Sequence, residues 1–185
     1  LVGTPRGFRD ILPTEALARE RITDTVRACF GERGYLPIET PLLEDRGSLE
    51  GGGRLADSPF QLFHTDRSLL VLRPDLTLPV ARLVPTRFDD SQLRLRYCAP
   101  VVREESSLKG QPRQFTQLGV ERFGTRDEEP EVETVSLLAE TLGRLDVPAW
   151  RIVCGSVSPL TALLAACSPS QEFTGQVLRL VHESD

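Results

Sequence analysis

Two runs of alternating residues, Leu93–Val102 and Gln114–Phe123, constrain this chain more than any other stretch. In the second run Phe115, Gln117, Gly119 and Glu121 fall on one side of an extended backbone, and Thr116, Leu118 and Val120 fall on the other. A cluster of charge and glycine, from Arg103 to Pro112, separates the runs and predicts that they pair as a hairpin. Arg103 then shares a face with Gln117 and Glu121. Burying such a face costs free energy unless its groups grip something polar and charged. Taken alone, Gln117 and Glu121 also fit a solvated outer strand face.

Around the hairpin the periodicity predicts mixed helix and strand. Pro13 and Thr14 open a helix that ends at Gly34, with Thr14 as cap and Ile22, Val26, Cys29 and Phe30 as one apolar stripe. Residues 35–44 read as extended, with prolines at 37 and 41. Residues 47–58 are rich in Gly and Ser and read as a loop, in which Gly51, Gly52 and Gly53 are candidates for mobility. Residues 60–63 and 69–72 read as a hairpin around Thr65, Asp66 and Arg67. Residues 77–84 read as a helix with Pro79 in its first turn. A helix over 130–145 turns Val132, Val135, Leu138, Ala139, Leu142 and Leu145 inward. Residues 150–154 read as a strand, and 159–167 and 171–182 as helices. Neither an internal repeat nor a domain linker is visible.

Composition narrows the function classes. The 185 residues suffice for one domain with a real core. Charged residues make up 26% and apolar ones 39%, a globular balance. A net charge of −5 without a basic tail disfavours nucleic-acid binding by bulk charge. The four cysteines, Cys29, Cys98, Cys154 and Cys167, are scattered. That pattern favours neither a zinc site nor a disulfide framework and fits a reducing cytoplasm. No metal site is expected, and neither His64 nor His182 has partners at metal-ligand spacing. The acidic run from Asp127 to Glu131 reads as a solvated helix start. No apolar run reaches membrane-spanning length, and no signal peptide is seen. The chain has no Met, even at position 1, so we read it as a fragment. Omitted modified methionines would leave Cα steps well beyond the ~3.8 Å of a trans peptide.

Arg103, Glu105, Lys109-Gly110, Arg113-Gln114-Phe115, Gln117, Gly119 and Glu121 stand at the spacing of a known motif. The segment resembles motif 2 of the class II aminoacyl-tRNA synthetases, in the version shared by histidyl-tRNA synthetases and their paralogue, the regulatory subunit of ATP phosphoribosyltransferase. The first helix and residues 35–41 resemble motif 1, whose proline lies at a dimer interface in that family. Alone, they fit any amphipathic helix, turn and edge strand. Gly7-Phe8-Arg9-Asp10-Ile11-Leu12-Pro13 resembles the family's opening Gly-x-Arg-Asp-x-Leu-Pro. The resemblance implies an α+β fold, an antiparallel sheet flanked by helices. It also implies one synthetase-like core over residues 1–185, incomplete on its C-terminal side.

Arg73-Pro74-Asp75-Leu76-Thr77 is similar to the family's Arg-Pro-acid-x-Thr, where the acid and the Thr contact the amino group of bound histidine. The resemblance therefore implies a histidine pocket of Asp75, Thr77, Arg103, Gln117 and Glu121. Spacing alone fits a simpler role for Asp75, the N-cap of the following helix. Arg73 and Arg82 read as structural. In a synthetase, Arg103, Glu105 and Arg113 would bind ATP, with Mg as its companion.

Departures from the synthetase pattern favour the regulatory branch. Gln111 replaces a basic residue of the motif 2 loop, and the string Arg-Gly-x-x-Tyr-Tyr does not occur in these residues. The variants Arg-Pro-Asp-Leu-Thr and Gln-Phe-Thr-Gln point the same way. The expectation is a cytoplasmic, non-catalytic, homodimeric subunit that needs no cofactor, binds free histidine and acts on a catalytic ATP phosphoribosyltransferase subunit. The alternative is a histidyl-tRNA synthetase, with tRNA as partner. A module that has lost its ligand is a third class, disfavoured because the polar pocket residues are intact.

Overall fold

Residues 3–47, 60–89, 92–103, 112–124, 129–167 and 170–183 are described by a computed structural model. They fall into two compact units, Leu1–Pro148 and Ala149–Asp185.

The first unit is organised by the anticipated hairpin. Strands β5 (Leu93–Val102) and β6 (Gln114–Phe123) pair antiparallel along their whole length, from Leu93 opposite Phe123 to Val102 opposite Gln114. Strand β1 (Leu36–Pro37) adds to the outer edge of β5 in parallel. The two-residue period then sorts side chains into two cores. On one face Leu93, Leu95, Tyr97 and Val101 pack with Leu76 and Val80, joined by Phe115 and Phe123. On the other, Leu118 and Val120 meet Val26, Cys29, Phe30, Tyr35 and Leu137. Each fully buried aliphatic or aromatic side chain contributes about 1.5–3 kcal/mol, so slipping β6 by one residue would exchange the faces and forfeit both cores.

Helix α1 (Pro13–Glu32) carries Val26, Cys29 and Phe30 into the second core, while Ile22 stays half exposed. Leu12 is its N-cap and no side chain caps it, so Thr14 lies inside the helix rather than capping it. The missing N–H of Pro13 removes one donor that a cap would have served. The helix stops at a left-handed Gly34 (φ +79°), where Gly34 N–H donates to Gly31 O and Tyr35 N–H to Phe30 O.

Beside this sheet lies a smaller antiparallel one with strand order β2 (Leu43–Asp45), β4 (Leu69–Leu72), β3 (Gln61–Phe63). The β3–β4 hairpin turns at Asp66 and Arg67 (φ 70°), and Asp66 holds the turn by accepting from Ser68 N–H and His64. Helix α2 (Thr77–Arg87) follows β4.

Helix α3 (Glu129–Arg144) presents a different side from the one its apolar pattern predicts. Leu137 and Thr141 are buried, whereas Val132, Val135 and Leu138 are 64%, 41% and 47% exposed. The inward stripe is Glu133, Leu137, Thr141 and Leu145, at four-residue steps. Its two polar members are satisfied in place. Thr141 donates to Leu137 O. Glu133 accepts from Tyr35 Oη, Arg94 and Arg122, which fastens α3 to the sheet.

In the second unit α4 (Ser158–Ala166) and α5 (Gln171–Glu183) form as expected. Residues 150–154 are not a strand, and Val153 is 79% exposed. A strand needs a ladder partner, and this unit offers none among its described residues. The Gly-rich stretch 48–59 and residues 125–128, which include Asp127 and Glu128 of the acidic run, lie outside the described residues. No helix among the described residues is long and apolar enough to cross a membrane.

Candidate functional site

The turn from β4 into α2 is pinned by a buried arginine. Arg73, 3% exposed, donates through Nη1 to Thr40 O at 2.6 Å and Pro41 O at 3.1 Å, and through Nε to Pro100 O at 3.0 Å. Its own N–H and C=O pair with Leu42 O and Val102 N–H. All five of these bonds are to backbone, so Arg73 joins the Pro41 segment to β5 and is structural. Burial among carbonyls lowers its pKa. Arg82 is likewise spent on a neighbour, pairing with buried Glu44 at 3.0 Å.

With Arg73 fixed, the next residues are aimed over the β5–β6 face. Asp75 is 3% exposed, and its Oδ1 accepts the Leu78 N–H at 3.2 Å. It therefore does serve the first turn of α2, as a capping carboxylate one residue outside the Leu76 N-cap. Thr77, the first residue of α2, is exposed and lies near the Tyr97 hydroxyl.

Tyr97 is the residue that motif spacing did not single out. It stands opposite Gly119 on the hairpin and is 7% exposed. Its ring crosses the bare glycine so closely that a Cβ there would lie 2.5 Å from Cζ. From this position Oη donates to Glu121 Oε1 at 3.2 Å. The hydroxyl thus reaches Glu121 on β6 while the ring packs with Leu76 and Val80 beside α2. Burial first, then the charges of Glu121 and Asp75, push the phenol up to about 12, so it stays a neutral donor at physiological pH. An aromatic facing a glycine across a hairpin is readable from sequence once the register is known; without the register it is one more apolar residue.

Gln117 lies on the same face of β6, and its Oε1 is buried with no hydrogen-bond partner among the described residues. Arg103, just past β5, donates through Nε to Pro74 O at 2.7 Å and stacks its guanidinium 5.4 Å above the Phe115 ring. Arg113 anchors the strand pair from the far side: its N–H donates to Gly7 O at 2.7 Å, and its C=O accepts from Arg103 N–H at 2.9 Å. Asp75, Thr77, Arg103, Gln117 and Glu121 are therefore gathered where the Arg73–Thr77 turn overlies the hairpin. Glu105 and Lys109 lie outside the described residues, as does the rest of 104–111.

The chemistry of this face is lopsided. Two carboxylates, the Gln117 carbonyl and the Thr77 hydroxyl offer acceptors, against a single cation, Arg103, among the described residues. A buried acceptor without a partner costs on the order of 1–3 kcal/mol, which a ligand bearing N–H groups would recover. No group of three or more His, Cys, Asp or Glu among the described residues could hold a metal ion.

The chain resembles known proteins along nearly its whole length. The family profile described as histidyl-tRNA synthetase matches residues 7–185. An ATP phosphoribosyltransferase regulatory subunit from Acetivibrio thermocellus is 30% identical over 98% of this chain and 44% of its own length. Another, from Crocosphaera subtropica, is 36% identical over 95% of this chain and 44% of its own. The chain thus spans less than half the length of these relatives. A solved ATP phosphoribosyltransferase regulatory subunit/histidyl-tRNA synthetase from Bacillus halodurans superposes with a TM-score of 0.86 at 30% identity, over 98% of this chain and 48% of that one. The apo histidyl-tRNA synthetase of S. aureus, 21% identical, shares the fold with a TM-score of 0.67 over 80% of this chain and 36% of that one.

Proposed function

The chain belongs to the histidyl-tRNA synthetase family, and on that premise we propose that its protein is a histidine-binding regulatory subunit of ATP phosphoribosyltransferase. In this reading it is not an enzyme by itself and requires no cofactor. Asp75 and Thr77 receive the ammonium group of histidine, Arg103 its carboxylate, and Gln117 and Glu121 the remaining N–H donors. The observation that carries the reading is the buried Gln117 Oε1 on the Glu121 face of β6, without a partner among the described residues, which calls for a ligand rich in N–H. The regulatory relatives, matched across nearly the whole chain, support the non-catalytic branch.

Control of a catalytic ATP phosphoribosyltransferase subunit in the cytoplasm requires histidine to prefer one state of the complex over another. Exposed Leu36, Leu42 and Leu43 beside the Pro41 segment support self-association there. Calorimetry of histidine on the full-length protein tests the pocket. Glu121→Ala should weaken binding by about 1–3 kcal/mol, through loss of a charged hydrogen bond. Unchanged affinity removes Glu121 from the site.

A second reading, histidine activation by ATP and transfer to tRNA, is favoured by the matching profile itself, which describes a synthetase. Arg103, Glu105 and Arg113 would then face ATP and its Mg. Appreciable histidine-dependent ATP–pyrophosphate exchange by the full-length protein would establish it and displace the regulatory reading.

A further inference from the structure

Two observations single out Tyr97. Its hydroxyl donates to Glu121 Oε1 at 3.2 Å and lies near Thr77. Its ring is held in place by close packing over Gly119 and by the apolar cluster of Leu76, Val80, Leu95 and Val101. A rigid ring that packs with Leu76 and Val80 and carries a hydroxyl bonded to Glu121 sets the spacing between α2 and the strand that bears Glu121.

We infer that Tyr97 is a positioning residue that fixes the span of the pocket, so that a ligand is chosen by the distance between its ammonium group and its second N–H donor. The inference rests on the histidine-binding reading and adds its selectivity. The Tyr97 proton is committed to Glu121 Oε1, which leaves Oε2 to accept from the ligand, while the ring packed with Leu76 and Val80 holds α2 at a fixed distance. Without the hydroxyl, α2 and β6 lose this cross-link, and ligands one methylene longer fit nearly as well.

The test compares histidine with homohistidine on the full-length protein, wild type and Tyr97→Phe, by calorimetry. Histidine affinity should fall roughly tenfold, as expected for one hydrogen bond to a charged group, and the preference for histidine over homohistidine should shrink several-fold. A purely structural Tyr97 would leave that ratio unchanged, and an unchanged ratio overturns the inference whether or not affinity falls. A wild-type protein that binds no histidine removes the histidine reading and this inference with it. Should Tyr97→Phe fail to fold, the wild-type protein labelled with 3-fluorotyrosine decides. The Tyr97 fluorine resonance, assigned by elimination with Phe variants of the other tyrosines, must move on adding histidine. A resonance that stays put overturns the inference.

Discussion

Gly119→Ala tests the site and the packing that supports it in one step. A Cβ built at Gly119 would lie 2.5 Å from Tyr97 Cζ and 2.7 Å from Cε2, with the hydroxyl oxygen in the way as well. Carbon atoms sit comfortably at about 3.5–4.0 Å, so the ring must retreat by roughly 1 Å. It cannot slide freely, because Tyr97 is buried among Leu76, Val80 and Leu95. Overpacking of this kind costs about 1–3 kcal/mol. The 3.2 Å bond to Glu121 has no slack to follow the ring, and its loss costs about 1 kcal/mol more. The expected destabilisation is therefore ~2–4 kcal/mol in urea unfolding, together with a loss of histidine affinity close to that of Tyr97→Phe. Because both changes act through one ring, they should not add: in a Tyr97→Leu background, Gly119→Ala should cost little. Full additivity, or an alanine variant with unaltered midpoint and affinity, would refute the close-approach argument.

Two further outcomes follow from other parts of the same hairpin. Glu133→Ala strips the shared anion from Arg122, which is 10% exposed, and from the buried Tyr35 hydroxyl; the loss should be about 2–4 kcal/mol, with little of it from the half-exposed Arg94. Hydrogen bonding from Arg94, and then the charges of Arg94 and Arg122, hold the Glu133 carboxyl below its ordinary 4.5, so its stabilisation is present above that pH and is lost as pH falls through the folded value. The variant should accordingly show a flatter acid limb in unfolding midpoint against pH; a limb as steep as wild type would contradict the network. At the other extreme, the Tyr97 phenol is raised from 10 to about 12, so its contribution is complete below pH 10 and disappears as pH climbs to about 12. That limb amounts to about 2–3 kcal/mol and should be missing in Tyr97→Phe; identical alkaline slopes would show that the phenol titrates normally.

Much of the hairpin was legible in the sequence because a strand's two faces follow from parity alone. Phe115, Gln117, Gly119 and Glu121 were assigned to one face and Leu118 and Val120 to the other, and the two cores divide that way. Parity does not say which polar residues are satisfied, and helix α3 shows the consequence. Counting apolar residues favours Val132, Val135 and Leu138, yet the buried side carries Glu133 and Thr141, whose side-chain partners on other elements lie 11 to 112 positions away. No local pattern can show that such an acid will be met by two arginines and a tyrosine. The strand expected at 150–154 failed for a related reason, since a β-propensity run becomes a strand only where a ladder receives it.

The two roles weighed for Asp75 prove compatible, because a carboxylate has two oxygens. Oδ1 is spent on the Leu78 N–H, and Oδ2 has no partner among the described residues. Spending one oxygen on the helix fixes where the other points, so the cap is the means by which α2 aims the carboxylate. The same logic runs through Arg103, whose Nε is tied to Pro74 O while its guanidinium stacks over Phe115. It runs again through Tyr97, whose ring packs with Leu76 and Val80 while its hydroxyl donates to Glu121. Asp75, Arg103 and Tyr97 are thus partly occupied by the fold, and on the proposed reading a ligand that engages their free groups would press on α2, β5 and β6 together. Coupling between the pocket and whatever surface lies beyond these elements requires only that their spacing differ slightly between the empty and filled states. Tyr97, as the bridge between α2 and β6, is where that difference would be felt first.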